Sequence, residues 1–491
     1  MASGLALALY GLLLVPVAIL VWRRPIVALY AWVVGLAAHN AVMAALYGAG
    51  VRGGALTALQ AWKEILLAVA LARVGYEALG ERRLPFRIHA ADVLAGAFAL
   101  VVCIYALLPQ SWLDGSADRG AVGLALKHDL VPVGAYLLGR SLLLRRSDVI
   151  PLVWTIVGVA AGVAMLGLID DFFVPISWWR DSAVVDYFHK QLGYDYNGTG
   201  GLPENFVYNT GSEDHFLRRL VSTFLGPLAS AYLFVVALLL ATALRRRAAA
   251  VLCALLAVAL LYTFSRSSLL ALAAGLLMLA FVARRWWPVV AAVATIAVSI
   301  GWVHAFPRIA PEGRWTHQDL VQQRNNARRN PDASGNAASL NEPSLHNHWV
   351  SLREGARTVV HHPQGYGLGN AGQTASRTET PIKAGESNYT ELGAETGFAG
   401  ALLWIAWSLA ILYGLIRVRA PAIAGAFAAT LVLAVQTDVI GDPWMAYGLW
   451  GLAGLALTSL PFERDDDRSA RGHRARPSEG ERPRPRDRVL P

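Results

Sequence analysis

An all-α, polytopic transmembrane helix bundle is the fold class this sequence predicts, on three observations. Of its 491 residues, 55% are hydrophobic and only 16% charged, with a mean hydropathy of +0.42; a soluble globular chain keeps roughly a quarter of its residues charged. Apolar runs long enough to cross ~30 Å of hydrocarbon at about 1.5 Å per residue recur along the chain. Between them, arginines gather in every second short connection, the pattern of a chain threaded back and forth through a bilayer.

The apolar runs fall near 3–21, 26–46, 56–74, 89–108, 129–143, 149–169, 220–243, 248–264, 267–283, 288–305, 398–416, 421–441 and 443–461, giving 12–13 spans, some of them short. The first run follows no basic stretch and ends without a small-residue cleavage site, so it reads as a retained span rather than a signal peptide. Arg23 and Arg24, Arg82, Arg83 and Arg87, Arg145 and Arg146, Arg245 to Arg247, Arg284 and Arg285, and Arg417 and Arg419 place fourteen arginines in short connections of one parity. The positive-inside rule assigns that side to the cytoplasm and puts the N-terminus outside. The opposite side then owns two long extracytoplasmic loops, 170–217 and 306–397, where chemistry is expected.

Residues 1–462 read as one transmembrane domain, and 463–491, rich in Arg, Asp and Pro, as a disordered cytoplasmic tail. The formal charge of +9 then belongs to loops and tail facing anionic lipid. The lipid bilayer is the expected partner and nucleic acid is not, since no aromatic-basic interleaving occurs. Cys103 and Cys253 both lie inside apolar runs, which provides neither a disulfide framework nor metal-ligand spacing.

The stretch "GESNYTELGAETGFAG" (Gly385–Gly400) sets Glu386, Glu391 and Glu395 directly before a long apolar run. Asn388 followed by Glu391 resembles a capping box and predicts a helix from about Tyr389. At about 100° per residue, Glu391 and Glu395 share one face, with Gly393, Gly397 and Gly400 roughly opposite. Carboxylates four apart on a helix repel. Two readings follow: both acids face water and favour the helix N-terminus, or they form an active-site acid cluster with a cationic partner. Arg218 and Arg219, at the outer mouth of the run beginning near Leu220, are candidate cations. Arg266 in "LYTFSRSSLL" is a third, at a depth where ionisable side chains face a cavity or a partner. Arginine meets phosphate oxygens bidentately and stays charged, so such a group suits a lipid diphosphate better than a neutral sugar.

In the second long loop, His346, His348, His361 and His362 match no standard zinc spacing. His361 and His362, just before Pro363, read as the end of a helix running through Leu352 to Val360. Gly365, Gly367 and Gly369 read as a structural turn. In the first long loop, acids from Asp170 to Asp214 outnumber bases eight to two and accompany Trp178 and Trp179. That composition fits a carbohydrate groove or an interfacial aromatic belt.

Taken in order, "AWKEILLAVAL", "LKHDLVPVGAYLLGRSLL", "RRLVSTFLGPLASAY", "TFSRSSLLALAAGLL", "HHPQGYGLGN" and "ESNYTELGAETGFAG" resemble the O-antigen ligase and O-antigen polymerase superfamily, over about residues 60–460. The resemblance implies a multi-span glycosyltransferase that moves a glycan from polyprenyl (undecaprenyl) diphosphate to an acceptor glycan hydroxyl, outside the cytoplasmic membrane. It implies that Arg219, before "LVSTF", and Arg266, in "FSRSS", hold the diphosphate, with Arg218 competing for the first role. The ligases begin a pattern like "HNxYLQLLAExG" with a catalytic His; aligning Tyr389, Glu395 and Gly397 puts Glu386 in its place. Glu386 would then take the acceptor proton or orient the acceptor sugar, with His346 and His348 as candidates for the missing His. Inversion by one displacement, with no metal or other cofactor, is the expected chemistry. The alternative is a lipid-linked glycan flippase or secondary transporter, although the internal repeat common in such proteins does not appear.

Overall fold

The computed structural model describes residues 2–143, 146–194, 202–203, 205–209, 212–244, 247–329, 339 and 342–458; the tail expected at 463–491 lies outside them. Long helices dominate: α1 (Ala2–Arg23), α2 (Ile26–Gly48), α3 (Gly54–Gln60), α4 (Trp62–Glu81), α5 (Ala90–Leu107), α6 (Arg119–Ser141) and α7 (Arg146–Phe173) come first. Two short helices follow, α8 (Ile176–Asp181) and α9 (Val184–Asp186), then α10 (Pro227–Ala241), α11 (Arg247–Tyr262), α12 (Arg266–Ala283), α13 (Trp287–Ile309) and α14 (His317–Arg329). The last part holds α15 (Pro343–His361), α16 (Gly372–Arg377), α17 (Asn388–Arg417), α18 (Pro421–Leu433) and a final helical stretch, 443–458, that opens with a π turn at Trp444–Leu449. The protein is a multi-pass, all-α membrane bundle.

Among the described residues, eight helices are long and apolar enough to cross a bilayer, and nine if the bent pair α3 and α4, 44° apart, counts as one span. The other predicted spans are shorter apolar helices, α10, α11 and α18, and the 443–458 stretch. Breakers shorten them: Leu225 takes a left-handed φ of 55° and Pro227 starts α10, so the run from 220 is irregular for its first turns. In the other direction, α6 begins ten residues before the predicted start, because Asp118 accepts from Ala121 N at 2.7 Å and caps it. Of its polar residues, His128 and Asp129 turn into the bundle, while Arg119 and Lys127 stay exposed.

Without a hydrophobic drive between helices in lipid, close approach depends on small residues. α12 and α18 meet at Gly275 and Gly425, where a Cβ on Gly275 would stand 2.8 Å from Gly425 O. Trp404 and Trp407 of α17 pack with Phe98 of α5 and Trp450 in the core. At the opposite end of α6 from Asp118, buried Arg140 donates Nε to Asp92 Oδ1 at 2.9 Å and Nη2 to Asp92 Oδ2 at 3.0 Å, and reaches Thr458 and the Arg87 carbonyl. Tyr136 Oη adds a bond to Asp92 at 2.7 Å. This network ties α5, α6 and the final helix together.

A three-stranded antiparallel sheet, absent from the all-helical expectation, lies at the loop-bearing end: β1 (Val207–Tyr208), β2 (His215–Arg218) and β3 (Glu312–Arg314), in the order β1-β2-β3. It joins the two long loops. The capping-box reading of Asn388 is corrected: Ser387 occupies the cap position without a side-chain bond. Asn388 instead donates to Asp438 Oδ1 at 2.6 Å and accepts from Val439 N at 2.8 Å. Gly397 interrupts α17 with φ 65°, and the "GYGLGN" segment docks on the break. Tyr366 N bonds Ala394 O at 2.6 Å, Gly367 N bonds Glu395 O at 3.0 Å, and Phe398 N bonds Pro363 O at 2.8 Å. Backbone groups freed by the break are thus satisfied, as burial requires. The glycine turn is required on both sides, since a Cβ on Gly397 would stand 2.5 Å from Pro363 O.

Replacing Asp92 by Ala strands the Arg140 guanidinium in the core, so Asp92→Ala is expected to lower stability by about 3–5 kcal/mol. Thermal unfolding of the detergent-purified protein checks it; an unchanged midpoint would show the network to be dispensable.

Candidate active site

β2 positions the first two arginines. Successive residues of an extended chain point to opposite sides, and Arg218 and Arg219 do so. Arg218 donates Nη1 to the Val174 carbonyl and stands 3.6 Å from both Asp170 Oδ1 and Asp171 Oδ1. Its charge is absorbed by these acids at the end of α7, which places it in a structural pairing. Arg219, also buried, turns the other way: Nε donates to Thr263 O at 2.9 Å and Nη1 to Asn205 Oδ1 at 3.3 Å.

Thr263 lies in the tight turn that joins α11 to α12, and Arg266 is the first residue of α12. The two guanidinium groups therefore stand beside one turn. Burial first, and then the charge of Arg266, bring Arg219 down to about 10. Arg266 Nη2 donates to Glu342 Oε2 at 2.8 Å. Glu342, buried, caps α15 by accepting from Leu345 N at 2.9 Å. Tyr208 on β1 completes the group. Its phenol is raised by burial and by the carboxylate of Glu342, with Arg266 and Arg219 opposing. The Tyr208 hydroxyl is buried and makes no hydrogen bond among the described residues. Two cations and an unused hydroxyl donor thus face one small region.

α15 links this region to the second set of predicted residues. Six positions after Glu342, about 9 Å along the helix axis, His348 Nδ1 meets Glu386 Oε2 at 2.5 Å. Glu386 is exposed and sits at φ 65°, a left-handed conformation that costs a residue with a Cβ on the order of 1 kcal/mol. The imidazole so held keeps Nε2 for another partner. His346, two residues earlier and so on nearly the opposite side of α15, is exposed. His361 closes α15 and bonds the Arg357 carbonyl at 2.7 Å, while His362 stacks on Tyr366.

Glu391 and Glu395 are buried, which removes the solvated-face reading. The positive charge near them comes from His128 of α6 rather than from an arginine. His128 Nε2 meets Asp438 Oδ2 at 2.9 Å and Nδ1 meets Asp129 Oδ1 at 2.8 Å; with carboxylates at both nitrogens, the arrangement is that of an imidazolium. Glu395 Oε1 accepts from Gly369 N at 2.9 Å, and the Glu391 carboxylate lies against Gly372. Both acids thus hold the 363–387 segment onto the bundle. Tyr389 Oη donates to Leu431 O at 2.9 Å, a contact between helices. Trp179 Nε1 donates to Asp170 at 2.7 Å and its ring is buried, while Trp178 stays exposed.

Beside the Asp438 anchor is a cavity of about 300 Å³, reached by Asn205, Tyr232, Asp438 and Asp442. Burial holds Asp438 upward, but the charge of His128 and its hydrogen bonds outweigh this and bring it below the usual carboxylate range. Asp442 accepts from Trp444 N at 2.8 Å and Met445 N at 3.2 Å, capping the final helix. Burial, with the Asp438 charge adding, pushes it up to about 7 against those two bonds. No group of three or more His, Cys, Asp or Glu suited to a metal occurs among the described residues.

The sequence reading missed Asn205, Tyr208, Glu342, His128 and Asp438. His128 and Asp129 stood in "LKHDLVPVG", where adjacent ionisable residues in an apolar setting were the available signal; Tyr208 and Asn205 left none.

Residues 248–405, about a third of the chain, match the family model Wzy_C, described as O-Antigen ligase. That segment holds Arg266, Glu342, His348, Glu386, Glu391 and Glu395, and its match supports a likeness to the O-antigen ligase and polymerase superfamily of glycan-transfer membrane proteins. No curated protein matches the chain.

Because Asp442 binds its proton more tightly in the folded protein than the ordinary carboxylate at about 4 does, the folded state holds a proton that the unfolded chain has released between roughly pH 4 and 7. Stability from this group is present at low pH and is lost as pH rises through about 7. Thermal unfolding across pH 4–8 should show that decline, and Asp442→Asn should flatten it; an identical pH profile in the variant would contradict the assignment.

Proposed function

We propose that the protein transfers a glycan from a polyprenyl (undecaprenyl) diphosphate carrier to the hydroxyl of an acceptor glycan at the extracytoplasmic face of the cytoplasmic membrane, as polymerase or ligase of a surface polysaccharide. The observation that carries this reading is the meeting of Arg219 and Arg266 beside the unpartnered Tyr208 hydroxyl, three donors gathered where a diphosphate would sit. In a partly buried site such donors stabilise charge more strongly than water does. Glu342 already satisfies one face of Arg266, and it keeps that side chain in position rather than neutralising the whole patch.

The reaction is one displacement. The acceptor oxygen forms a bond to the anomeric carbon while the bond from that carbon to the phosphate oxygen breaks, and the diphosphate departs with the electron pair. Arg219, Arg266 and the Tyr208 hydroxyl receive the charge that builds on it. The acceptor proton passes to His348 Nε2, with Glu386 at Nδ1 fixing the ring and stabilising its charged form. Inversion at the anomeric centre follows from a single displacement. The residues carry the chemistry without a metal, since the leaving group is already activated. Arg218, Tyr389, Glu391 and Glu395 support the frame, and His346, on nearly the opposite side of α15 from His348, takes no part.

Transfer is read as undecaprenyl diphosphate released from an authentic lipid-linked glycan by protein in detergent, where there is no membrane to cross. Arg219→Ala and Arg266→Ala should each slow it about 100- to 1,000-fold, and Tyr208→Phe about tenfold, the worth of one hydrogen bond. His348→Ala should cost about 100-fold or more, with Glu386→Gln less severe. Full activity in the doubly substituted arginine variant would end this reading, and no release by the intact protein would favour a transporter. Surface glycans of a deletion strain separate the two roles: polymerase loss leaves single repeat units, ligase loss leaves unattached polymer.

A further inference from the structure

The 300 Å³ cavity lies between the C-terminal half of α2, the start of α10, α16 and the turn that precedes the final helix. Its volume sits at the lower end of the range of about 300–1,000 Å³ for small-molecule sites, so it suits a short unit rather than a long chain. Among the described residues its wall contains no lysine or arginine, and the titratable groups that reach it are the carboxyls of Asp438 and Asp442, together with the imidazole of His39. A phosphate would be repelled there. A neutral, hydroxyl-rich ring would not: amide, phenol and carboxyl groups from Asn205, Gln373, Tyr232 and Asp442 offer donors and acceptors, and Trp444 offers an apolar ring face.

The cavity adjoins the arginine patch across one side chain. Asn205 lines it and also accepts from Arg219 Nη1 at 3.3 Å. Tyr232 lines it too, within the electrostatic reach of Arg219, and is tied to Thr437 at 3.1 Å. A sugar bonded through its anomeric carbon to a diphosphate lies within a bond or two of the phosphorus. With the diphosphate on Arg219, this cavity offers that sugar a polar space without a cation, next to the Asn205 side chain that Arg219 contacts.

We infer that the cavity receives the sugar ring directly attached to the carrier diphosphate, and that Asp442 and Gln373 are its specificity-determining contacts. This assignment rests on the diphosphate reading of Arg219 and Arg266. Asp442 is fixed for the task because its Oδ1 caps the final helix, and Gln373 is steadied by Tyr194 Oη at 3.0 Å. The identity of that first sugar is therefore read separately from the diphosphate.

Two probes separate the two halves of the ligand: farnesyl diphosphate, which carries no sugar, and lipid-linked glycan extracted from a strain lacking the protein. Asp442→Asn keeps the helix-capping oxygen, and Ser376→Phe fills the cavity from α16; both are purified in detergent and checked for monodispersity. Both variants should bind farnesyl diphosphate like the unsubstituted protein and bind the extracted lipid-linked glycan at least tenfold more weakly. Unchanged affinity for the glycan-linked lipid in both variants overturns the inference, as does equal weakening toward both probes. A defect seen only when acceptor glycan is titrated during turnover also overturns it, by moving the cavity to the acceptor. If Arg219→Ala binds farnesyl diphosphate normally, the diphosphate reading itself fails and takes this assignment with it; a failure confined to the sugar arm leaves that reading standing.

Discussion

Asp438 is the point on which the loop-bearing end of the molecule depends. One carboxylate oxygen holds His128 of α6, and the other accepts from Asn388 at the start of α17 and from Gly441 N in its own turn at 2.9 Å. Three pieces of chain far apart in sequence are fixed by one side chain. The constraint is the low dielectric of the bundle, where an unmatched ion is costly and a matched one is strongly held. Glu391 and Glu395 belong to the same set, and through Gly369 and Gly372 they hold down the turn that fills the gap at Gly397. Once that corner is rigid, α15 is positioned over it, with Glu342 on Arg266 at one end and His348 on Glu386 further along.

Charge in this part of the molecule is matched locally. Arg266 stands on the Glu342 carboxylate beside Arg219 and Tyr208, and His128 stands between Asp129 and Asp438. Arg218 shows how local geometry settles two adjacent arginines of equal charge. The alternation of β2 sends one into Asp170 and Asp171 and the other toward the α11–α12 turn, and no property of the pair in isolation distinguishes them. Small backbone facts have similar weight at Glu386, whose left-handed conformation turns its carboxylate to His348 just before α17 begins.

Fold class and the loop-rich face were legible in the sequence because hydropathy and arginine spacing are local signals that need no knowledge of contacts. The pairing of Arg219 with Arg266 was legible only through family resemblance, since 47 residues separate them and periodicity says nothing about the meeting of β2 with the α11–α12 turn. The apolar run marks α6 only from 129 because Lys127 and His128 look like loop residues; the partner that holds His128 in the bundle, Asp438, lies 310 positions on. Asn388 looks like a local cap for the same reason. A polar residue beside a helix start has a nearby backbone partner by default, and only the fold shows that Asp438 competes for it and wins. The shortened α10 and the small sheet depend on left-handed turns and edge pairing, which side-chain hydropathy does not encode.

Thr437, Asp438, Gly441, Asp442, Pro443 and Trp444, all from the turn before the final helix, form one wall of the cavity. The same turn carries the carboxylate that grips His128 and Asn388. Any displacement of this hinge-like corner is therefore transmitted at once to α6, to the start of α17 and to the shape of the cavity.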